Sequence, residues 1–212
     1  MPYYPAFLDL RDRPAVVVGG GTVAERKVAA LLAAGARVAV ISPAMTSELR
    51  RLALEGAIEA KEREYQSGDL RGAHLAVVAT DDTELNRRAA REARAERVLV
   101  NTVDDVEYCD FIAPAVIQQG DVTVAISTNG KSPAMARFLR RQLEEFLTPE
   151  YGDLLEVLEQ VRGELRRRKA RVPAERWQEH IDDGLRELVR AGDLEGAKAR
   201  LLGDLLMANA VP

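Results

Sequence analysis

A chain of 212 residues, 47% of them hydrophobic, can fill one good core plus a smaller second unit, since domains run to about 100–150 residues. Its 30 Lys and Arg against 34 Asp and Glu leave a net charge of -4, which repels a phosphate backbone and argues against nucleic acid as the main partner. One cysteine, Cys109, allows no internal disulfide, and with only His74 and His180 beside it no cluster with zinc spacing can be written, so no metal is expected.

The chain starts MPYYPAFLDLRDRP, where Asp9, Arg11, Asp12 and Arg13 stand in the place of a signal peptide's apolar core. No later apolar run approaches the ~20 residues of a membrane span, so a cytoplasmic protein without membrane contact is expected. From residue 15 to about 128, short β-branched runs alternate with longer Ala/Leu/Arg-rich segments of helical period. That alternation predicts an α/β fold with a parallel sheet and crossover helices. The runs are AVVVGG, ARVAVIS, AIEAKERE, HLAVVAT, RVLVNTV and, after a break, VTVAIST. Between the first two, Val23, Val28, Leu31 and Leu32 make one apolar stripe, with Gly35 where a helix would end. The third run alternates loosely, as an edge strand does. Between the fourth and fifth, DDTELNRRAAREARAE opens with acids suited to the positive end of a helix dipole.

Past residue 104 the pattern changes. FIAPAVIQQGDVTVAIST is two apolar runs joined by QQGD, the form of a hairpin. From Ser132 onward the chain predicts only amphipathic helices, punctuated by Pro149 and Pro173, one of them carrying Leu154, Leu158, Val161 and Leu165 on a single face. With so few large side chains, these helices are expected to pack on the first domain or on a second subunit rather than to form a core of their own.

GGGTVA fits G-x-G-x-x-A: Gly19 makes the tight turn, Gly21 lets backbone approach a pyrophosphate, and Ala24 allows close helix–strand packing. Free N–H groups at Thr22 and Val23, with the helix dipole, would face the phosphates. The acid expected about 20 residues on, for the ribose, is missing. VISPAM stands there instead, so Ser42, Pro43 and Ala44 must serve; no arginine at that strand end selects a 2′-phosphate, which favours NAD over NADP.

Ligands of open parallel sheets bind beyond the carboxyl ends of the strands. Gly19 to Thr22, Ser42, Thr80 with Asp81, Asn101 to Asp104, and the run Ser127, Thr128, Asn129, Gly130, Lys131, Ser132 each follow an apolar run directly. Together they outline a crevice for a cofactor and a second ligand. Asp104 could take a proton as a hydride leaves, or be a cap or turn residue. The run from Ser127 could form an anion-binding turn or a plain helix entry capped by Ser132. His74 heads a buried strand and reads as a packing residue. Cys109 has no histidine near in sequence to activate it.

The segments FLDLRDRPAVVVGGGTVAERKVAALLAAGARV, VVATDDTELN, VNTVDD, FIAPAVI and VAISTNGKSPAMARFLR, in this order, resemble the dehydrogenase module of siroheme synthases, the precorrin-2 dehydrogenase family. The resemblance implies a homodimer in which NAD accepts a hydride from precorrin-2, a reduced tetrapyrrole rich in carboxylates, to give sirohydrochlorin; some members also insert ferrous iron. It implies Asp104 as the key active-site acid. Gly19, Gly21, Thr22, Val23, Ser42, Pro43 and Ala44 fall in the cofactor stretches, with Thr80, Asp81 and Asn101 beside them, and residues 127–132 form a substrate-side loop. Lys131 and Arg137 are candidate donors to substrate carboxylates. Thr128 and Asn129 depart from the serine and glycine common in the family. The implied division is a NAD-binding Rossmann domain at 1–113, a dimerisation and substrate-side region at 114–147 and a C-terminal helical domain at 148–212. Two other readings stand beside it: a bifunctional enzyme that also loads iron, with Asp104 or His74 removing protons, and a non-catalytic NAD-sensing domain.

Overall fold

The computed structural model describes residues 3–103 and 105–207, which fall into two compact units divided after Ala113. The first unit is a five-stranded parallel sheet of β1 (Pro14–Val18), β2 (Arg37–Ile41), β3 (Ile58–Lys61), β4 (Leu75–Val78) and β5 (Leu99–Thr102), in the order β3-β2-β1-β4-β5. The β-branched runs form its centre because both faces are covered: Val17 is fully buried opposite Val40 on one side and Val77 on the other. The loosely alternating third run is the edge strand β3, with Glu59 pointing to solvent.

Crossovers α1 (Thr22–Ala33) and α2 (Ser47–Leu54) bury Val28, Leu31 and Leu49 on one face, against Val17, Val40 and Val77. On the other face α3 (Thr83–Ala95) lays Ala89, Ala90 and Ala93 on Val16, Val18, Val78 and Val100. Alanines at these contacts let the helix approach closely. The order of strands reverses at β1 and β4, which makes the carboxyl edge beside β1 the switch point where such sheets open a crevice.

The second unit opens with the hairpin β6 (Ala115–Gln119) and β7 (Val122–Ile126), antiparallel with Ile117 opposite Val124. Then come α4 (Pro133–Phe146), α5 (Glu150–Arg167), α6 (Ala174–His180), α7 (Asp183–Arg190) and α8 (Leu194–Met207). One hairpin face buries Ile117 and Ile126 with Leu147. The helices do possess a core of their own, contrary to the expectation from their sparse large side chains. Leu154, Val157, Val161 and Leu165 of α5 meet Leu185 and Val189 of α7 and Leu201 and Leu205 of α8, around a fully buried Ala197. A small residue at the crossing lets three helices share few leucines. Among the described residues no helix is long and apolar enough to cross a membrane.

Candidate active site

The β1–α1 turn is built around three glycines with different reasons for being glycine. Gly19 has φ +121°, a conformation side chains rarely adopt, and a Cβ there would overlap the carbonyl oxygen of Ala79. At Gly20 a Cβ would overlap the carbonyl oxygen of Ala44, because the loop after β2 lies directly on the turn, tied by Thr46 N–H to the Gly20 oxygen at 2.9 Å. Gly20→Ala is therefore expected to lower the urea midpoint followed by circular dichroism, by about 1–3 kcal/mol of overpacking. An unchanged midpoint would contradict this packing.

Gly21 differs. It sits in ordinary backbone territory (φ -83°), is exposed, and nothing lies within 4 Å of the place its Cβ would occupy. Neither backbone nor packing asks for glycine here; what it preserves is open space over the end of α1. That end is also bare. Thr46 caps α2 and Asp82 caps α3 with side-chain oxygens, but α1 has no side-chain cap, and among the described residues the N–H groups of Thr22, Val23 and Ala24 find no protein acceptor. Free donors, a positive dipole end and cleared space fit a pyrophosphate.

The turn forms one wall of a cleft of about 820 Å³. Of the expected cofactor residues, Gly19, Gly21, Thr22, Val23, Ser42, Pro43, Ala44, Thr80 and Asp81 all line it. Ser42 is buried and its hydroxyl donates to the Ala44 oxygen at 2.7 Å, so it shapes the loop while backbone does the facing. Thr80 donates to Asn86 Oδ1 at 2.6 Å, and Asn86 Nδ2 returns a bond to the Thr80 oxygen at 2.9 Å. Sequence reading missed this buried Asn86; a lone amide on the apolar side of DDTELNRRAA was the signal available. It also missed Tyr65 and Arg88 in the cleft lining.

The structure does not bring Asn101 to this cleft. It is buried at the end of β5, where its Nδ2 donates to the Phe111 oxygen at 3.0 Å and to Cys109 Sγ at 3.5 Å, closing the turn that follows the strand. Cys109 Sγ also accepts the Thr102 N–H at 3.2 Å, and burial pushes its thiol up, so a protonated structural thiol stands where a nucleophile would need a thiolate. Asp104 itself lies outside the described residues. The carboxyl end of β5 that precedes it is on the same sheet edge as the glycine turn, with Val103 N–H donating to the Val78 oxygen at 2.9 Å. His74 is exposed at the opposite, amino-terminal edge, its N–H bonded to the Pro14 oxygen at 2.8 Å, so it is neither a core residue nor near the cleft.

Residues 127–132 do not continue the parallel sheet edge; they follow the antiparallel strand β7 in the second unit. Asn129 and Gly130 take φ of 53° and 75°, and Lys131 N–H reaches the Thr128 oxygen at 3.0 Å, which makes a tight turn of the Asn-Gly kind. Ser127 Oγ accepts the Asn129 N–H, Thr128 Oγ1 the Ser132 N–H, and Ser132 Oγ caps α4 through the Met135 N–H. Lys131 is exposed, and its side chain takes no part in these bonds.

Residues 6–115 match a family model described as "Putative NAD(P)-binding", and residues 119–145 match one described as "Sirohaem biosynthesis protein central". The siroheme synthase of Nitrosococcus oceani is 38% identical over 203 residues, covering 95% of this chain and 43% of that protein. That of Chromobacterium violaceum is 39% identical with the same coverage. The chain thus spans less than half the length of these curated relatives. The solved structure of "SirC, precorrin-2 dehydrogenase" superposes with a TM-score of 0.74 at 27% identity, covering 93% of this chain and 100% of that one. With the matched region extending over the glycine turn, the whole cleft and the end of β5, this chain belongs to the putative NAD(P)-binding family, and it is similar to siroheme synthases and to a precorrin-2 dehydrogenase.

Proposed function

We propose that the chain oxidises precorrin-2 to sirohydrochlorin with NAD as hydride acceptor. The observation that carries this is the likeness of 93% of the chain to a precorrin-2 dehydrogenase, together with a cleft whose glycine turn leaves a bare helix end and empty space at Gly21. NAD, the cofactor of this cleft, supplies the two-electron sink when bound. The chain's own contribution is position: Thr22 and Val23 offer N–H groups to the pyrophosphate, and the loop after β2 fixes the turn beneath it. Precorrin-2 loses a hydride from one carbon and a proton from another atom, so products are sirohydrochlorin, NADH and one proton. Asp104, carried just past β5, is the base for that proton. Lys131 and the turn at Asn129 and Gly130 are donors to substrate carboxylates, with Arg137 in the first turns of α4 as a further cation.

The active form is a homodimer in the cytoplasm. Support for the dimer comes from α4, which shows Met135, Phe138 and Phe146 on one exposed stripe, Phe146 being 64% exposed, and from the hairpin's outer face, where Val116 is also exposed. Phe138→Glu is expected to halve the molar mass seen by light scattering; a mass unchanged from the parent, dimeric or monomeric, would count against this surface. The function itself is tested by incubating the protein anaerobically with precorrin-2 and NAD. NADH and sirohydrochlorin should appear in equal amounts, and formation of either without the other would refute the assignment.

A further inference from the structure

The cleft beside the glycine turn has a further wall. Arg88, on α3, and Tyr65, in the loop after β3, both line it, with the Arg88 Cζ 5.7 Å from the centroid of the Tyr65 ring. Tyr65 is 4% exposed and its ring packs among the α3 core residues. The loop that carries it is pinned: Arg63 grips Asp69 with two bonds of 2.7 and 2.6 Å, and Glu92 accepts the N–H groups of Gly68 at 2.9 Å and Leu70 at 3.3 Å. The Arg63 guanidinium holds the Asp69 carboxyl below its ordinary range, so this clasp stays charged. Tyr65 is accordingly held in place, and the Arg88 guanidinium over it lies within cation–π range of the ring. Of the other arginines of α3, Arg87 pairs with Glu84 and Arg94 with Asp110, both at 3.4 Å, while Arg91 does not line the cleft. Among the described residues Arg88 has no ion pair.

Topology says which half of a dinucleotide this shelf would meet. Tyr65 follows β3, on the β2 side of the glycine turn, and Arg88, although its helix follows β4, reaches that side through its contact with the Tyr65 ring; β5 lies beyond β4 on the other side. In a doubly wound sheet the adenosine half runs toward β2 and the nicotinamide toward the opposite strands. The remaining charges of the cleft are acids, Glu64, Asp81 and Asp82, which oppose an additional phosphate there. We propose that Arg88, with its guanidinium carbon 5.7 Å from the Tyr65 ring centroid, receives the adenine of the cofactor against its guanidinium plane. This rests on the reading that NAD occupies the cleft, and replaces the missing ribose acid with a stacking contact as the anchor of the adenosine half.

Calorimetric titration of the parent protein, Arg88→Leu and Arg88→Lys with NAD, NADP, ADP-ribose and nicotinamide mononucleotide tests it, with far-ultraviolet circular dichroism as the check on folding. Arg88→Leu should weaken NAD and ADP-ribose alike by roughly tenfold, the scale of one base stacked on a cationic or aromatic side chain. Lysine, which has no plane, should not restore it. Affinity for nicotinamide mononucleotide should stay at the parent's value, and NADP should fall by the same factor as NAD. Unchanged NAD affinity in Arg88→Leu, when the parent binds NAD, overturns this inference alone. A loss confined to NADP makes Arg88 a reader of the 2′-phosphate and overturns it as well, as does an equal loss for nicotinamide mononucleotide. A parent protein that binds neither NAD nor ADP-ribose overturns both this and the cofactor reading.

Discussion

Asp104→Asn should bind NAD with the parent's affinity and turn precorrin-2 over about 10²–10⁴-fold more slowly, the range lost when a positioned base is removed. The amide is nearly isosteric with the carboxylate but cannot take the proton that must leave as the hydride departs. The end of β5, which precedes it in sequence, lies on the sheet edge where the glycine turn opens the cleft and on the side away from β2 and β3. The preceding strand end is held by bonds of Asn101, Thr102 with Cys109, and Val103. Rapid-mixing turnover and calorimetry on the same preparation separate the two roles. Equal loss of binding and turnover would make Asp104 a structural residue, and unimpaired turnover would remove it from the chemistry.

Gly21→Val should abolish cofactor binding while leaving the fold intact. The space around Gly21 is empty of protein and its backbone sits where any residue is at ease, so the substitution should cost only about 1 kcal/mol, the scale of replacing a favoured N-cap residue. The isopropyl group would, however, stand over the free N–H groups of Thr22 and Val23, where the phosphates must come. An unrelieved clash of about 3 kcal/mol weakens NAD roughly 100-fold or more. Gly20→Ala gives the opposite signature, since its obstacle is the Ala44 carbonyl rather than a ligand. If Gly21→Val bound NAD normally, the pyrophosphate could not lie on the end of α1.

These two glycines show how far residues alone lead. GGGTVA announces a turn and a phosphate site, and the β-branched runs announce the sheet, because both signals are local and periodic. That Gly20 serves the neighbouring loop while Gly21 serves open space depends on where Ala44 comes to rest, which no spacing rule contains. Asn101 misled for the same reason: a polar residue at a strand end reads as a ligand contact, yet a backbone oxygen ten residues later, on Phe111, claims it. His74 reads as a packing residue because it heads a buried strand, yet at the amino-terminal edge the structure leaves it exposed. The leucines of the last three helices look too few until α5, α7 and α8 pool them around Ala197. Tyr65 and Arg88 were invisible in KEREYQSGDL and ELNRRAA, where no period marks either; only the fold brings a residue after β3 beneath one on α3.

On the proposed function, a hydride passes from precorrin-2 to NAD within this protein. Precorrin-2 carrying deuterium at the carbon that is oxidised should, in a single anaerobic turnover, deliver that deuterium to the reduced cofactor, as read by mass spectrometry. Sirohydrochlorin formed with the label in water and none on the nicotinamide would contradict it.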